Sequence, residues 1–251
     1  MTPRVGASAD LRYDLSIPEL IDRIVSLGLD HLELRQGYLD TTDHIPTAEI
    51  RSVTHAHDVT TTVHAPYTDA SLGNLNEPLR RAAVDGVHQS LVFADEIDAG
   101  GVVVHGGATR PEFPDRVNRH ARRQALTSLR ECVAHAERVG VPVCLENQWD
   151  TASQRRHTAT PDRLASFVAD SGIESPYLQY TLDVGHANVM GEDYRSFHDS
   201  TDVQIVHLHT NDGKSDSHDP FPEYRRVVDE IDAPYNVLEM KSLDDLAQCV
   251  R

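Results

Sequence analysis

Six residues of types that bind metal ions close the apolar runs of this 251-residue chain: His64, His105, Glu146, Asp183, His209 and Glu239. Successive members stand 41, 41, 37, 26 and 30 residues apart, about one strand plus one helix each. If the runs are parallel strands of one barrel, their carboxyl ends share a face and the six side chains converge on it. A histidine taken singly is more often an ordinary surface or core residue, so the ordered set carries the argument. Two local motifs enlarge that set. Asp183-Val184-Gly185-His186 puts a second ligand type three residues beyond a strand end, and Gly185 is expected to allow a sharp turn there. Asp216-Ser217-His218 places two more in a polar loop where a core role is remote. Imidazole and carboxylate without thiolate suit zinc or manganese, whereas calcium and magnesium prefer oxygen-rich sites. Nine such residues could hold between one and three ions.

The elements that must position these residues alternate from end to end. Strands are expected at 4–10, 31–35, 60–65, 102–105, 142–146, 177–183, 203–209 and 235–239. Helices are expected at 47–57, from Asn76 to about 98, at 115–139 and at 161–171, with a short helix or turn near 193–198. Ser16 and Pro18 open the first helix and Gly28 closes it, while Gly140 ends the helix at 115–139. The last helix, SLDDLAQCV, is short. Eight strands, each followed by a connection, predict a single (β/α)8 TIM barrel over residues 1–251, with a metal site at the carboxyl ends of its strands. A doubly wound open sheet is the alternative. His31, His44, His55, His57, His88, His120, His135, His157 and His198 are read as helix-face or loop residues without ligand spacing, and His207 as interior, one layer below His209.

Composition narrows the class. The formal net charge is −17, and Lys214 and Lys241 are the only lysines. Such a balance fits a strongly solvated acidic surface adapted to high salt, where the Debye length falls to about 3 Å near 1 M and self-repulsion fades. The same screening leaves acidity a weak argument against nucleic acid. No stretch reaches the roughly 20 apolar residues of a membrane span, and MTPRVGASADLRYD lacks the apolar centre of a signal peptide. A soluble cytoplasmic protein is expected. Cys132, Cys144 and Cys249 are odd in number and widely spaced, as reduced thiols would be.

With these residues located, the whole chain resembles the xylose-isomerase-like metal barrel superfamily. The marks are VHAPY at His64, VVVHGG at His105, CLEN at Glu146, TLDVGHAN across Asp183 and His186, HTNDGKSDSH across His209 and His218, and LEM at Glu239. Its sugar and sugar-phosphate isomerase and epimerase branch implies one metal held by Glu146, Glu239, Asp183 and His209, with Glu146 and Glu239 moving protons next to a carbonyl through an enediolate. His186, Trp149 and Lys214 are then substrate contacts, and the partner is a small carbohydrate. Its endonuclease IV branch, which cleaves abasic sites in DNA, implies three zinc ions on all nine positions: His64, His105, Glu146, Asp183, His186, His209, Asp216, His218 and Glu239. Departures favour the first branch. QWDTASQRRHTATPDRL after Asn147 lacks the expected Gln-Gly, DPFPEY replaces a glycine-containing stretch after His218, and no basic run with interleaved aromatics exists beyond Arg155-Arg156.

Overall fold

The computed structural model describes residues 2–35, 39, 45–68, 70–198 and 202–251; His44 lies outside them. Eight strands form the barrel: β1 (Arg4–Ser8), β2 (His31–Arg35), β3 (Thr60–His64), β4 (Val102–His105), β5 (Val143–Glu146), β6 (Leu178–Asp183), β7 (Val203–Leu208) and β8 (Tyr235–Leu238). All neighbouring pairs are parallel, and β1 pairs with both β2 and β8, so the sheet closes on itself. Closure excludes the open doubly wound sheet. Among the described residues no helix is long and apolar enough to cross a membrane.

The helices follow the expected signals. In α1 (Ile17–Ser26) Ser16 and Glu19 cap each other reciprocally, and Leu20, Ile21 and Ile24 face inward. Next come α2 (Thr47–Ala56), α3 (Glu77–Glu96), α4 (Asp115–Val139) and α5 (Pro161–Ser171). Gly140 and Gly172 end α4 and α5 at φ 90° and 62°, a region open to glycine at little cost. The short α6 (Val184–Met190) and α7 (Arg195–His198) precede α8 (Tyr224–Ile231) and α9 (Leu243–Cys249).

Three expectations need correction. The first strand stops at Ser8 rather than residue 10, because Asp10 accepts a bond from Arg12 N and starts a 3-10 turn. DVGH is not a sharp turn: Asp183 caps α6 by accepting from His186 N, and Gly185 has no positive φ. Its requirement is space, since a Cβ there would lie 1.9 Å from His209 Cε1. His31 is not on a helix or loop. It opens β2 and is fully buried, its ring bonded to Thr60 Oγ1 (2.9 Å) and Thr62 Oγ1 (3.0 Å).

Strand alternation sorts the core into two parts. Outward residues such as Leu32, Val63, Val104, Leu145, Leu182, Val206 and Leu238 join the helices in the main apolar core. Inward residues Val103, Cys144, Ile205 and Val237 form a separate small cluster inside the barrel, with Tyr235 packed against it. Above that plug the inward positions turn polar.

Candidate metal centre

Continued alternation brings one inward side chain from each strand to the upper rim: Asp10, Arg35, His64, His105, Glu146, Asp183, His209 and Glu239. Contacts run round this ring. His105 Nε2 lies 2.6 Å and His64 Nε2 4.0 Å from Glu146 Oε2, and His209 Nε2 lies 3.2 Å from Asp183 Oδ1. Arg35 pairs with Glu239 and reaches Asp10 at 3.9 Å. The ring borders a cavity of about 700 Å³. His64, His105, Glu146 and Glu239 line it directly, whereas Asp183 and His209 are fully buried beside it.

The loops complete the set. His186 enters from α6, and Asp216 and His218 from the segment after β7; all three line the cavity. Asp216 Oδ2 lies 2.9 Å from His218 Nε2 and 3.7 Å from His186 Nε2, and Asp216 Oδ1 lies 3.6 Å from His209 Nε2. Among the described residues, potential ligand atoms lie within 4.8 Å of one another in five groups. Three of these contain only predicted residues: His64, His105 and Glu146; Asp183, His186 and His209; His209, Asp216 and His218. Glu239 joins a fourth group with Glu33 and His207, and a fifth unites Glu146, Asp183 and His207.

Three of the histidines are oriented as ligands need to be. His64 Nδ1 donates to Ala65 O, His186 Nδ1 to Asn147 O and His218 Nδ1 to Glu239 O, each at 2.8 Å. Fixing Nδ1 on a carbonyl presents Nε2 toward the carboxylates. Among the described residues His209 Nδ1 and Asp216 Oδ1 are buried without a hydrogen-bond partner, an arrangement that is costly unless something else satisfies them. This donor set fits a divalent ion.

Electrostatics point the same way. Burial opposes ionisation of Glu146, but His105, His207 and His186 hold its carboxyl well below the usual range. Burial likewise opposes the charge on Glu239, and His207, Arg35 and His218 overcome it. Burial disfavours a charged His186, yet Asp183, Asp216 and Glu146 raise it to about 10. His64, by contrast, is pushed down to about 4 by burial and by the neighbouring His105, and stays neutral. A cluster this acidic holds protons on some of its histidines, and a divalent cation can take over that role.

Of the proposed substrate contacts, Trp149 lines the cavity and packs on His186 with ring centroids 4.3 Å apart. Lys214 is exposed and outside the lining, because Asp212 Oδ1 binds the backbone N–H of Lys214 and Ser215 and turns the loop outward. Several contributors were not foreseen. His207 is interior as expected, but its Nδ1 lies 3.1 Å from Glu146 Oε1 and its Nε2 3.1 Å from Glu33 Oε2, so the two residues form the floor of the site. Asn147 ties strand ends together, accepting from Asp183 N (2.7 Å) and donating to Asp183 O (2.9 Å). Alternation in HLELR, with His31, Glu33 and Arg35 on one face, was the available signal.

Residues 21–242 match the protein family described as Xylose isomerase-like TIM barrel. An uncharacterized protein of Methanocaldococcus jannaschii is 31% identical over 222 residues, covering 86% of this chain and 73% of that protein. A second uncharacterized protein of the same organism is 26% identical, covering 98% and 96%. Among solved structures, a D-tagatose 3-epimerase-like protein superposes with a TM-score of 0.81 at 24% identity, covering 98% of this chain and 94% of the other. The 3-keto-D-glucoside 4-epimerase YcjR of E. coli superposes with a TM-score of 0.74 at 19% identity, covering 98% of both chains.

Proposed function

This chain belongs to the xylose isomerase-like TIM barrel family, and on that premise we propose that it is a divalent-metal-dependent sugar isomerase or epimerase. The observation carrying this reading is the pair Glu146 and Glu239. Both are ionised, both line the cavity, and both direct an oxygen at His207 Nδ1, at 3.1 and 3.7 Å. Two carboxylates that line one cavity above the His207 floor are placed to take a proton from a carbon held between them and return one to it.

Glu146, Glu239, Asp183 and His209 would hold the ion, with His186 adjoining. An ion bound there would polarise a carbonyl and so acidify the carbon–hydrogen bond at the adjacent, hydroxyl-bearing carbon. Either Glu146 or Glu239 would accept that proton, and the other, first protonated from solvent, would return one, reversing the configuration or, with a matching proton shift between the two oxygens, moving the carbonyl along the chain. Trp149 forms one apolar wall over His186, and Arg35 holds Glu239 in place from the side. Fold likeness to sugar epimerases is consistent with this chemistry without fixing it.

The test is solvent-deuterium uptake. Purified protein loaded with manganese or zinc is incubated with ketoses in heavy water, and deuterium at the carbon beside the carbonyl is read by NMR. Uptake that requires metal supports the reading; none with any ketose, phosphorylated or not, overturns it. A second reading rests on three groups of ligand types, two of which share His209, which would suit three zinc ions and phosphodiester hydrolysis of the endonuclease IV kind. Three tightly held zinc ions per chain, together with cleavage of an abasic-site duplex at high salt, would favour it.

A further inference from the structure

Three arginines line the cavity, and they differ in how their charge is met. Arg35 is paired with Glu239. Arg110, at the mouth, lies 3.7 Å from Glu112 and is half exposed. Arg156 is mostly buried, and among the described residues its guanidinium makes no hydrogen bond and no ion pair; its Nε is buried and unsatisfied.

The structure explains why the nearest acids do not answer it. Asp150 is taken by Arg163, whose Nη1 lies 2.8 Å from both of its oxygens, and by the backbone N–H of Arg156 itself at 2.8 Å. Glu146 is engaged by His105 and His207. Burial consequently lowers the Arg156 pKa, with Glu146 and Asp150 opposing too weakly to cancel it. Burying an unpaired guanidinium is unfavourable, and such a group persists where a ligand supplies the missing anion. Gln148, on the same loop and the same cavity wall, is 1% exposed, and among the described residues both its amide nitrogen and its oxygen lack partners. This side of the cavity therefore offers an unmatched cation and an unmatched amide, while the chain as a whole carries a net charge of −17.

We propose that the sugar handled here bears an anionic group, a phosphate or a carboxylate, seated on Arg156 with Gln148 bonding an adjacent polar group. The proposal rests on the sugar reading above and adds the substrate class. Arg156 sits on a two-residue strand, Arg155–Arg156, paired antiparallel with Ala108–Thr109, which fixes its backbone at the cavity mouth. A volume of about 700 Å³ leaves room for a sugar with a charged end. Because the rest of the molecule repels anions, any preference for a charged sugar must be local.

Binding and turnover are measured separately on the metal-loaded protein. Calorimetric titrations compare D-xylulose with D-xylulose 5-phosphate, and D-fructose with D-fructose 6-phosphate and D-fructuronate. One of the anions is expected to bind about tenfold tighter or more than its neutral parent, as a charge-assisted pair at a buried site allows. The ratio should collapse in Arg156→Gln and be partly restored in Arg156→Lys. Preference for the phosphates or for fructuronate identifies the anion. Equal affinities in the unsubstituted protein, or a preference that survives Arg156→Gln, overturn the proposal. Deuterium uptake with the same sugars keeps the two readings apart. Exchange of neutral ketoses without an anion preference leaves the isomerase and removes the anion site. An Arg156-dependent preference without any exchange leaves the anion site and removes the isomerase.

Discussion

Two histidines buried in the same barrel interior, His31 near the bottom and His207 one layer below the rim, are driven in opposite directions. Both are fully inaccessible. Burial pushes His31 down to about 3, since its ring bonds the neutral hydroxyls of Thr60 and Thr62 and stacks on Tyr235, and Glu33 opposes too weakly. Burial acts on His207 as well, but Glu239, Glu33 and Glu146 surround it and raise it well above its ordinary value. The lower barrel is apolar or neutral and built to cohere. The upper barrel concentrates charge that does not favour folding unless paired, which is the arrangement of a site whose purpose is chemistry.

The comparison can be broken from either end. The largest effect is expected at the top: Glu146→Gln should cut turnover by about 10²–10⁴-fold, the usual contribution of a positioned acid or base, and should also lower the melting temperature of the metal-free protein, because His105 and His207 lose the carboxylate that pairs them. An unchanged melting temperature would mean that this pairing contributes nothing to the fold. Next comes Ile205→Ala in the lower plug, expected to lower unfolding free energy by about 2–5 kcal/mol with the activity of the folded fraction retained; denaturant titration and initial rates read the two separately.

Gly185→Ala sharpens the comparison by moving one ligand alone. Its Cβ would meet His209 at 1.9 Å, so the imidazole must tilt, and metal affinity should drop by about 10–100-fold as for other disturbances of ligand orientation. Equilibrium dialysis with metal analysis checks this. The smallest effect concerns His31. Its folded value of about 3 lies below the ordinary 6.5, so the unfolded chain binds the proton first. The stabilisation is complete above pH 6.5 and is lost as pH falls toward 3, by at most about 1.4 kcal/mol per pH unit for one proton. His31→Gln should flatten the slope of melting temperature against pH in that window, whereas an unchanged slope would place the acid sensitivity elsewhere.

Much of this was legible before any coordinates. Six of the eight rim residues announced themselves as His, Asp or Glu at the end of an apolar run, because a strand buried on its outer face must be apolar until it reaches the site. Arg35 and Asp10 escaped for different reasons: Arg35 is not of a ligand type and pairs with Glu239, and Asp10 lies two residues beyond its strand, bonding Arg12 and turning the chain. Glu33 and His207 sit in mid-strand, where only period-two alternation marks an inward position. The outward turn of Lys214 depends on hydrogen bonds to Asp212 that composition does not display. Gly185 was noticed for the wrong reason, since a sequence shows that a side chain is missing but not which neighbour fills the space.

The small antiparallel pairing of Ala108–Thr109 with Arg155–Arg156 couples the connections leaving β4 and β5, and backbone groups and one Thr109 hydroxyl hold it. Side chains on that ribbon are thus exchangeable with little effect on the strand ends beneath. In an evolving lineage, substrate preference and proton chemistry can drift on separate clocks, the first by substitutions at 108–110 and 154–156, the second frozen by the barrel. A combinatorial library confined to those six positions would sample new substrates on an unaltered catalytic floor.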